Sequence, residues 1–240
     1  MSDPEQKNGP PVVPAFDTAT GEKDTYDLQA REQKEAIVEE AVREHWDTRA
    51  QRPDVQSVMS ARHTLEENRL ATAELQREIF EFLKGYVDGK KVFELGVGIG
   101  RMTSELASLA RAVVGVELSP VMLARAREQL KEFENVQLFL GKLTELDFSP
   151  HSFDLVFESI VLLHILNPDE LKATIQRMQA LSDTIFVVEH TYEGPNFPIS
   201  KYSILRPPEE YEQLFAPYKL QKQKTHLCAG DTFTLMLFKK

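Results

Sequence analysis

A short run of alternating glycines is the feature of this sequence best suited to binding a ligand. Gly96, Gly98 and Gly100 follow an apolar β-type run, residues 92–95, and precede a helical pattern. Glycine allows sharp backbone turns and leaves no Cβ in the way of a bound molecule. A strand, a glycine turn and a helix N-terminus together predict a nucleotide-sized cradle with free N–H groups at its rim.

The spacing separates this turn from the dinucleotide fingerprint. The sixth position of G-x-G-x-x-G is glycine, whereas this sequence has Arg101 there. Glu94 stands two residues before the first glycine, which gives the pattern acidic-x-G-x-G-x-G. A second β-type run ends at Glu117, 21 residues after Gly96. An acidic residue at the tip of the second strand is placed to accept hydrogen bonds from both hydroxyls of a ribose.

These signals belong to an ordered series of motifs. FELGVGIGRMT, VVGVELSPVML, GKLTELDF and FDLVFESIVLLHI follow one another within residues 90–240. In this order the sequence resembles the class I S-adenosylmethionine (SAM) dependent methyltransferases, in their small-molecule and amine branch. The resemblance implies SAM as the cofactor and an α/β fold, a three-layer αβα Rossmann-like sheet of seven strands with an antiparallel last hairpin. A glycine turn in some other doubly wound domain is the alternative.

The resemblance assigns cofactor contacts to the ends of successive strands. Arg101 would pair with the methionyl carboxylate of SAM, although a solvated helix residue is the alternative. Related sequences often carry Gly-Asp-Ala after the third strand, and the Asp accepts from the adenine amino group. Lys142 cannot accept that bond, so we expect backbone groups of Lys142 and Leu143 to recognise adenine. The expected cofactor-binding residues are Glu94, Gly96, Gly98, Gly100, Arg101, Glu117, Leu118, Lys142, Leu143, Glu158 and Ser159.

The segment after the fourth strand indicates the class of acceptor. It lacks the Asp/Asn-Pro-Pro-Tyr/Phe tetrad of the DNA and glutamine amide methyltransferases. By resemblance, Ser159 contacts SAM and His164, five residues later, faces the acceptor. Histidine titrates near neutrality and can take a proton from a nucleophile; a helix-capping histidine in an apolar segment is the alternative. Glu189 and His190 end the fifth strand, and with His164 they are the candidate catalytic residues.

Hydrophobic periodicity predicts the elements that position these residues. Residues 87–240 alternate strand and helix, which predicts a parallel sheet with an antiparallel terminal hairpin. Helical patterns over residues 27–46 and 55–83 precede the first strand. By resemblance, residues 25–86 form a helical cap over the substrate. Residues 1–24 are polar and rich in proline, so we expect a disordered tail.

Four aromatic side chains of the cap have two interpretations: Tyr26, His45, Trp46 and His63. They could form an aromatic lid over the substrate. Core packing for Trp46 and solvent exposure for the two histidines is the favoured alternative. No metal-ligand spacing links these histidines.

Composition narrows the partners. The net charge of −10 and the pI near 5.2 argue against a large nucleic-acid footprint, so no DNA partner is expected. No apolar run is long enough to span a membrane, and the first residues lack the apolar core of a signal peptide. The single cysteine, Cys228, excludes an intramolecular disulfide and a cysteine-rich metal site. A cytoplasmic setting without a metal is the resulting expectation.

The predicted reaction is methyl transfer to a nitrogen or oxygen of a small molecule or short peptide. Such a protein has to hold the acceptor and the methyl group in line. A carboxylate and histidine set, Glu158, Glu189, His164 and His190, could attract and deprotonate an amine, which favours nitrogen. Two alternatives stay open: a SAM-binding regulatory or scaffold protein without activity, and an RNA methyltransferase. The acceptor and the oligomeric state are left undetermined.

Overall fold

The computed structural model describes residues 31–60, 63–191 and 200–240, so the predicted tail (1–24) and Tyr26 lie outside the described residues. Before the sheet come α1 (Arg31–Glu35), α2 (Glu39–Arg49), a 3₁₀ helix (Asp54–Ser57) and α3 (Leu65–Phe82). The sheet region contains β1 (Lys91–Leu95), α4 (Arg101–Leu109), β2 (Ala112–Glu117), α5 (Pro120–Gln129), β3 (Val136–Leu140), β4 (Leu155–Ser159), α6 (Pro168–Leu181), β5 (Thr184–His190), α7 (Pro208–Leu214), β6 (Lys219–Cys228) and β7 (Asp231–Lys239). Short 3₁₀ helices, Leu143–Glu145 and Leu162–His164, follow β3 and β4.

The strands form one seven-stranded sheet in the order β3-β2-β1-β4-β5-β7-β6. Strands β1 to β5 are parallel, and β7 runs antiparallel between β5 and β6. This is the predicted three-layer αβα sheet with an antiparallel last hairpin, so the fold-class prediction is confirmed. The strand order reverses between β1 and β4, and a ligand crevice is expected outside the carboxyl ends of strands at such a reversal.

Alternation along the central strands divides the core into two layers. Val92 of β1 joins the layer beneath α3 and α4, whereas the adjacent Phe93 joins the layer beneath α6 and α7. Both side chains are fully buried, as expected for strands covered by helices on both faces. The carboxyl ends of β1, β2 and β4 are thereby fixed rigidly beside one another.

Two sheet helices begin at side-chain caps followed by proline. The hydroxyl of Ser119 accepts a hydrogen bond from the Met122 amide, and proline follows at the first position of α5. The side-chain oxygen of Asn167 accepts from the amides of Asp169 and Glu170, at 3.0 Å each, at the start of α6. Both caps satisfy amides that a helix leaves without partners.

The helices before β1 differ from the prediction. The helix predicted over residues 27–46 is interrupted within its described part, because Val38 takes an extended conformation (ψ 144°) between α1 and α2. The segment predicted as one helix over residues 55–83 contains one turn of 3₁₀ helix (Asp54–Ser57) and the separate helix α3 (Leu65–Phe82). Thr64 and Glu67 form a reciprocal capping box that starts α3 at Leu65. The T-x-x-E signature of this helix start is present in the sequence.

Helix α3 is part of the main core. Leu75, Ile79 and Phe82 on its inner face are 0–4% exposed and pack against the sheet. Helices α1 and α2 instead lie over the carboxyl ends of the strands, where Val42 packs against Leu166 and Ile204. The segment before β1 therefore contains one helix of the sheet layer and two helices over the ligand crevice.

Candidate active site

A cavity of about 920 Å³ opens at the carboxyl ends of β1 to β4, a size typical of small-ligand sites. The sheet provides its floor, and α1, α2 and α6 contribute walls. Nine of the eleven predicted cofactor residues line it, together with His164: Glu94, Gly96, Gly98, Arg101, Glu117, Leu118, Lys142, Leu143 and Ser159. Gly100, Glu158, Glu189 and His190 are not among its lining residues.

The floor carries buried polar atoms that nothing in the described part of the chain satisfies. These atoms are Glu94 Oε2, Arg101 Nη1 and Ser159 Oγ. Burial raises the pKa of Glu94 to about 8. Burial also lowers the pKa of Arg101 to about 10, although the nearby carboxyl group of Glu94 opposes this decrease. Unsatisfied buried groups are costly. A ligand that offers both a donor and an anionic group would satisfy them.

Glu117 at the end of β2 shapes the glycine turn. Its carboxylate accepts hydrogen bonds from the amides of Gly98 and Ser119, each at 2.8 Å. Burial raises its pKa, and these backbone hydrogen bonds oppose the rise. A carboxylate has about four acceptor sites. Glu117 can therefore hold the turn and still accept two ligand hydroxyls.

Gly96 marks a close approach between two loops. Its φ is +76°, and a Cβ added there would lie 2.2 Å from Cγ2 of Val161 in the loop after β4. The left-handed conformation is unfavourable for residues other than glycine. Glycine is therefore required at this position both by the turn and by the contact.

Lys142 has a role that the sequence did not reveal. Its Nζ lies 2.7 Å from Glu39 of α2, 3.4 Å from Glu145 and 3.8 Å from Glu170 of α6. The hydrogen bond with Glu39 is the main cause that raises the pKa of Lys142. The side chain therefore ties α2 to the sheet domain beside the cavity.

His164 lies on the cavity wall in a fixed orientation. Its Nδ1 is 2.8 Å from the carbonyl oxygen of Tyr202 and 3.1 Å from the hydroxyl of Ser203. Because a carbonyl only accepts, Nδ1 carries the proton and Nε2 carries the free lone pair. Burial lowers the pKa of His164 to about 3, so the ring is neutral near pH 7.

A group of rings surrounds this histidine. The Trp46 ring centroid is 4.8 Å from that of His164 in an edge-to-face arrangement, and Trp46 also lines the cavity. His45 stacks at 4.3 Å on Tyr202 and is 8% exposed, so the expected solvent exposure of His45 is wrong. The ring of His45 thus connects α2 to the segment that contains Tyr202, a contact that the local sequence does not indicate.

Glu158 and Glu189 lie beneath the loop that carries His164. Glu158 accepts hydrogen bonds from the amides of Val161 (2.5 Å) and Leu162 (3.3 Å). Glu189 accepts from the amide of Leu163 at 3.0 Å. Burial raises the pKa of both carboxyl groups, and their proximity raises that of Glu158 further. In this arrangement the two acids position the loop.

Arg206, which no pattern in the sequence indicated, completes this support. It is 1% exposed and donates to the carbonyl of Leu162 at 3.2 Å and to that of Ile165 at 3.4 Å. His190 lies elsewhere, beside the ring of Phe233 and 4.0 Å from Asp231. No periodic pattern in residues 200–206 signalled that this segment supports the site.

Comparison with known proteins agrees with this geometry. Residues 92–183 match a family model described as "Methyltransferase domain". Phosphoethanolamine N-methyltransferase 1 of Arabidopsis thaliana is 28% identical over 167 residues, which cover 67% of this chain and 33% of that protein. The chain thus spans about a third of the length of this curated relative.

Two solved structures share the fold. Phosphoethanolamine N-methyltransferase 1 of Haemonchus contortus, in complex with phosphoethanolamine and S-adenosylhomocysteine, superposes with a TM-score of 0.65 at 18% identity over 89% of this chain and 51% of that chain. An N-methyltransferase of Bradyrhizobium japonicum in complex with S-adenosylhomocysteine superposes with a TM-score of 0.63 at 14% identity, and the match covers 83% of this chain and 98% of that chain.

The family-model match over residues 92–183 agrees with the predicted resemblance to the class I SAM-dependent methyltransferases, and the solved structures share the Rossmann-like fold of this chain. Within the described ranges, no helix has the length and apolar character needed to cross a bilayer.

Proposed function

We propose that this protein binds SAM and transfers its methyl group to a nitrogen of a small amine. The observation that carries the proposal is the pair of buried ionisable residues on the cavity floor, the acid Glu94 and the base Arg101, each with an unsatisfied atom. An amino acid is a ligand that brings an ammonium and a carboxylate together, and the methionyl part of SAM is one.

The remaining floor fits the rest of the cofactor. Glu117 has acceptor sites left for two ribose hydroxyls, and Leu118 and Leu143 offer an apolar surface for a base. The Lys142 amide is 3.5 Å from Glu145 Oε2, too long for a strong bond, so it is available to a ligand. Glu94, Arg101, Glu117, Lys142 and Leu143 are the residues that would hold SAM.

Bound SAM supplies a methyl group already activated by its sulfonium, so the protein need not supply a metal or covalent nucleophile. The contribution of the chain is to orient the acceptor. His164 has a neutral ring with the lone pair on Nε2. Its Nε2 would accept a hydrogen bond from an N–H of the neutral amine and orient the nitrogen lone pair toward the methyl group; with a pKa of about 3 the ring is a weak base, so the proton of the amine leaves to solvent.

The upper wall of the cavity, opposite the strand ends, carries an excess of negative charge. This charge favours an amine over a carboxylic acid as the acceptor. Glu35, Glu39, Asp169 and Glu170 line this part of the cavity, and Lys142 offsets them only in part. Such a wall attracts a cationic acceptor. The relatives named above act, by their names, on the amine phosphoethanolamine, which supports the same class. A hydroxyl acceptor on oxygen is the second candidate, since Nε2 of neutral His164 can equally accept a hydrogen bond from a hydroxyl.

Two variants separate the cofactor site from the acceptor site. Glu117→Ala should weaken binding of SAM or S-adenosylhomocysteine about tenfold or more, because each charge-assisted hydrogen bond contributes about 1.5–3 kcal/mol. His164→Asn should leave that affinity nearly unchanged and lower turnover about a hundredfold. Calorimetry measures the first effect, and a labelled-SAM assay with a library of small amines and alcohols identifies the acceptor and measures the second.

Each alternative has its own outcome. Tight SAM binding without turnover on any amine, alcohol or peptide would indicate a regulatory SAM-binding protein. Turnover on RNA alone would indicate an RNA methyltransferase. If His164→Asn weakens SAM binding as strongly as Glu117→Ala and leaves turnover at saturating SAM untouched, His164 belongs to the cofactor site.

We also propose the domain division and setting. Residues 25–86 act as a cap segment before a methyltransferase domain at 87–240, although α3 packs with the sheet. The buried free thiol of Cys228 is consistent with a reducing, cytoplasmic setting, and the acidic charge with the absence of a DNA partner.

A further inference from the structure

A second group of potential ligands lies between α3 and β6. Glu74 of α3 faces His226 and Cys228 of β6, and one donor atom of each lies within 4.8 Å of the others. His226 and Cys228 are two residues apart on a strand, so their side chains point to the same face. Among the described residues, these three form a group of His, Cys and acidic side chains that could surround one metal ion.

The donor spacing matches a tetrahedral ion. The Nε2 atom of His226 is 3.1 Å from Glu74 Oε1, and Sγ of Cys228 is 3.9 Å from Glu74 Oε2. Zinc bonds of about 2.0–2.1 Å to nitrogen or oxygen and about 2.3 Å to sulfur place tetrahedral ligands roughly 3.3–3.6 Å apart. All three donor atoms lie within 4.8 Å of one another, so they need to move by up to about 1 Å to bind one ion.

The direct contacts among these side chains are poor. Nε2 of His226 is buried and, despite its closeness to Glu74, is not aligned for a hydrogen bond. Burial and the carboxylates of Glu74 and Asp231 raise the pKa of the Cys228 thiol to about 11. A cation would reverse this preference, since a metal-bound thiol loses its proton.

We propose that Glu74, His226 and Cys228 bind one divalent transition-metal ion of the zinc type, which fastens α3 to the C-terminal hairpin. One nitrogen, one sulfur and one oxygen donor favour zinc over magnesium or calcium. On binding, a metal–sulfur bond forms, and the Cys228 proton passes to solvent. Water fills the fourth position. The sequence did not indicate this metal site because the ligands come from segments about 150 residues apart.

The test uses the full chain, free of any tag and stripped by a chelator, with Zn²⁺ or Co²⁺ as the probe. We expect about one Zn²⁺ per chain by equilibrium dialysis and mass spectrometry. Co²⁺ should give a thiolate-to-metal charge-transfer band. At a hundredfold excess over Kd, Zn²⁺ should raise the melting temperature by about 5–11 °C.

Three variants and a control assign the ligands. Cys228→Ser, His226→Gln and Glu74→Gln should each lower Zn²⁺ affinity at least about tenfold, and Cys228→Ser should abolish the charge-transfer band. Glu74 has a 41% exposed side chain, so its variant should fold even where a buried change does not. His151 makes a similar contact with Asp183, 3.4 Å away, without a cysteine, so His151→Asn should behave as the parent.

The proposal is wrong if the parent binds no more Zn²⁺ than the three variants, or if Co²⁺ binds without a thiolate band. Circular dichroism of each metal-free variant shows that the compared proteins are folded. Equal melting temperatures of the parent with and without Zn²⁺ would also overturn it.

Discussion

The floor and the upper wall of the cavity are built in different ways. The floor consists of residues next to the ends of β1 and β2, such as Glu94, Arg101 and Glu117, whose positions are fixed by adjacent strands. The upper wall joins α2 to the loops after β4 and β5, through Trp46, His164 and Tyr202. The floor has unsatisfied charged atoms, whereas the wall consists of aromatic rings and partnered carboxylates.

This difference separates two tasks. A floor of buried charge binds one chemical pattern strongly, because each unsatisfied group gains a partner from the ligand. In a wall of rings that segments distant in sequence hold in place, substitutions can change which acceptor binds without changing the floor. Changes to the floor should therefore alter cofactor affinity, and changes to the wall should alter the acceptor constants.

The largest effect is expected at the glycine turn. Gly96→Ala places a Cβ against Val161 and adds left-handed strain, so cofactor affinity should fall more than about a hundredfold. Gly85 has a similar φ of +81° with nothing within 4 Å of an added Cβ. Gly85→Ala should lower only the melting temperature, by a few degrees. Calorimetry with S-adenosylhomocysteine and thermal unfolding measure both; equal affinity losses would contradict a collision at Gly96.

The next effect concerns the buried cation. Arg101→Met removes a charged donor to the ligand carboxylate, and affinity should fall about 10- to 150-fold. Stability should change little, because Nη1 has no partner in the described protein. Arg111→Met is the matched control, since its side chain is 70% exposed and its contact with Asp154 is 3.9 Å. Unchanged binding by Arg101→Met would remove this residue from the site.

Glu94 should make cofactor binding depend on pH. Its pKa is about 8 without ligand, so it is protonated at pH 7, and binding an ammonium group requires that proton to leave. Affinity should therefore rise with pH from about 6 to 8, by at most about tenfold per unit. Calorimetry in buffers of different ionisation enthalpy should detect release of about one proton at pH 7. Glu94→Gln should bind more weakly and without this slope.

The smallest effect on the cofactor is expected at the wall. Trp46→Ala removes the ring beside His164, so KM for the acceptor should rise about tenfold, while cofactor affinity changes less than about twofold. Steady-state kinetics at saturating SAM measures the first quantity. A cofactor affinity that fell together with the acceptor affinity would show that floor and wall are not independent.

The floor was predictable from sequence because its signals are contiguous. The glycines, Arg101 and Glu117 are set by strand, turn and helix caps that short motifs specify. The end of a strand does not reveal which side chains face the cavity, because they alternate between faces. By that alternation Glu158 shares a face with Val156, and Glu189 shares one with Val187. In this orientation the carboxyl groups of Glu158 and Glu189 lie beneath the loop that carries His164 and do not line the cavity.

The wall was not predictable because tertiary contacts determine it. The break at Val38 allows α2 to cross the strand ends, and no proline or glycine marks that break. The contacts of Tyr202 and Arg206 with the His164 loop join segments about 40 residues apart, without periodicity. From the sequence, Lys142 only replaces the residue that would contact adenine. Its ion pair with Glu39 joins two residues that are 103 positions apart, so the sequence did not reveal it.

The attachment of α1 and α2 has a consequence for the rate of ligand exchange. Arg31 pairs with Glu210 at 2.7 Å, Lys142 pairs with Glu39, and Lys34 donates to the carbonyls of Ser200 and Ser203. Ion pairs that reach solvent are weak and are screened by salt, whereas the apolar packing of α3 is not. Rising ionic strength should thus weaken the attachment of the two outer helices before it weakens the sheet, so the rate at which the cavity exchanges a ligand should rise with salt.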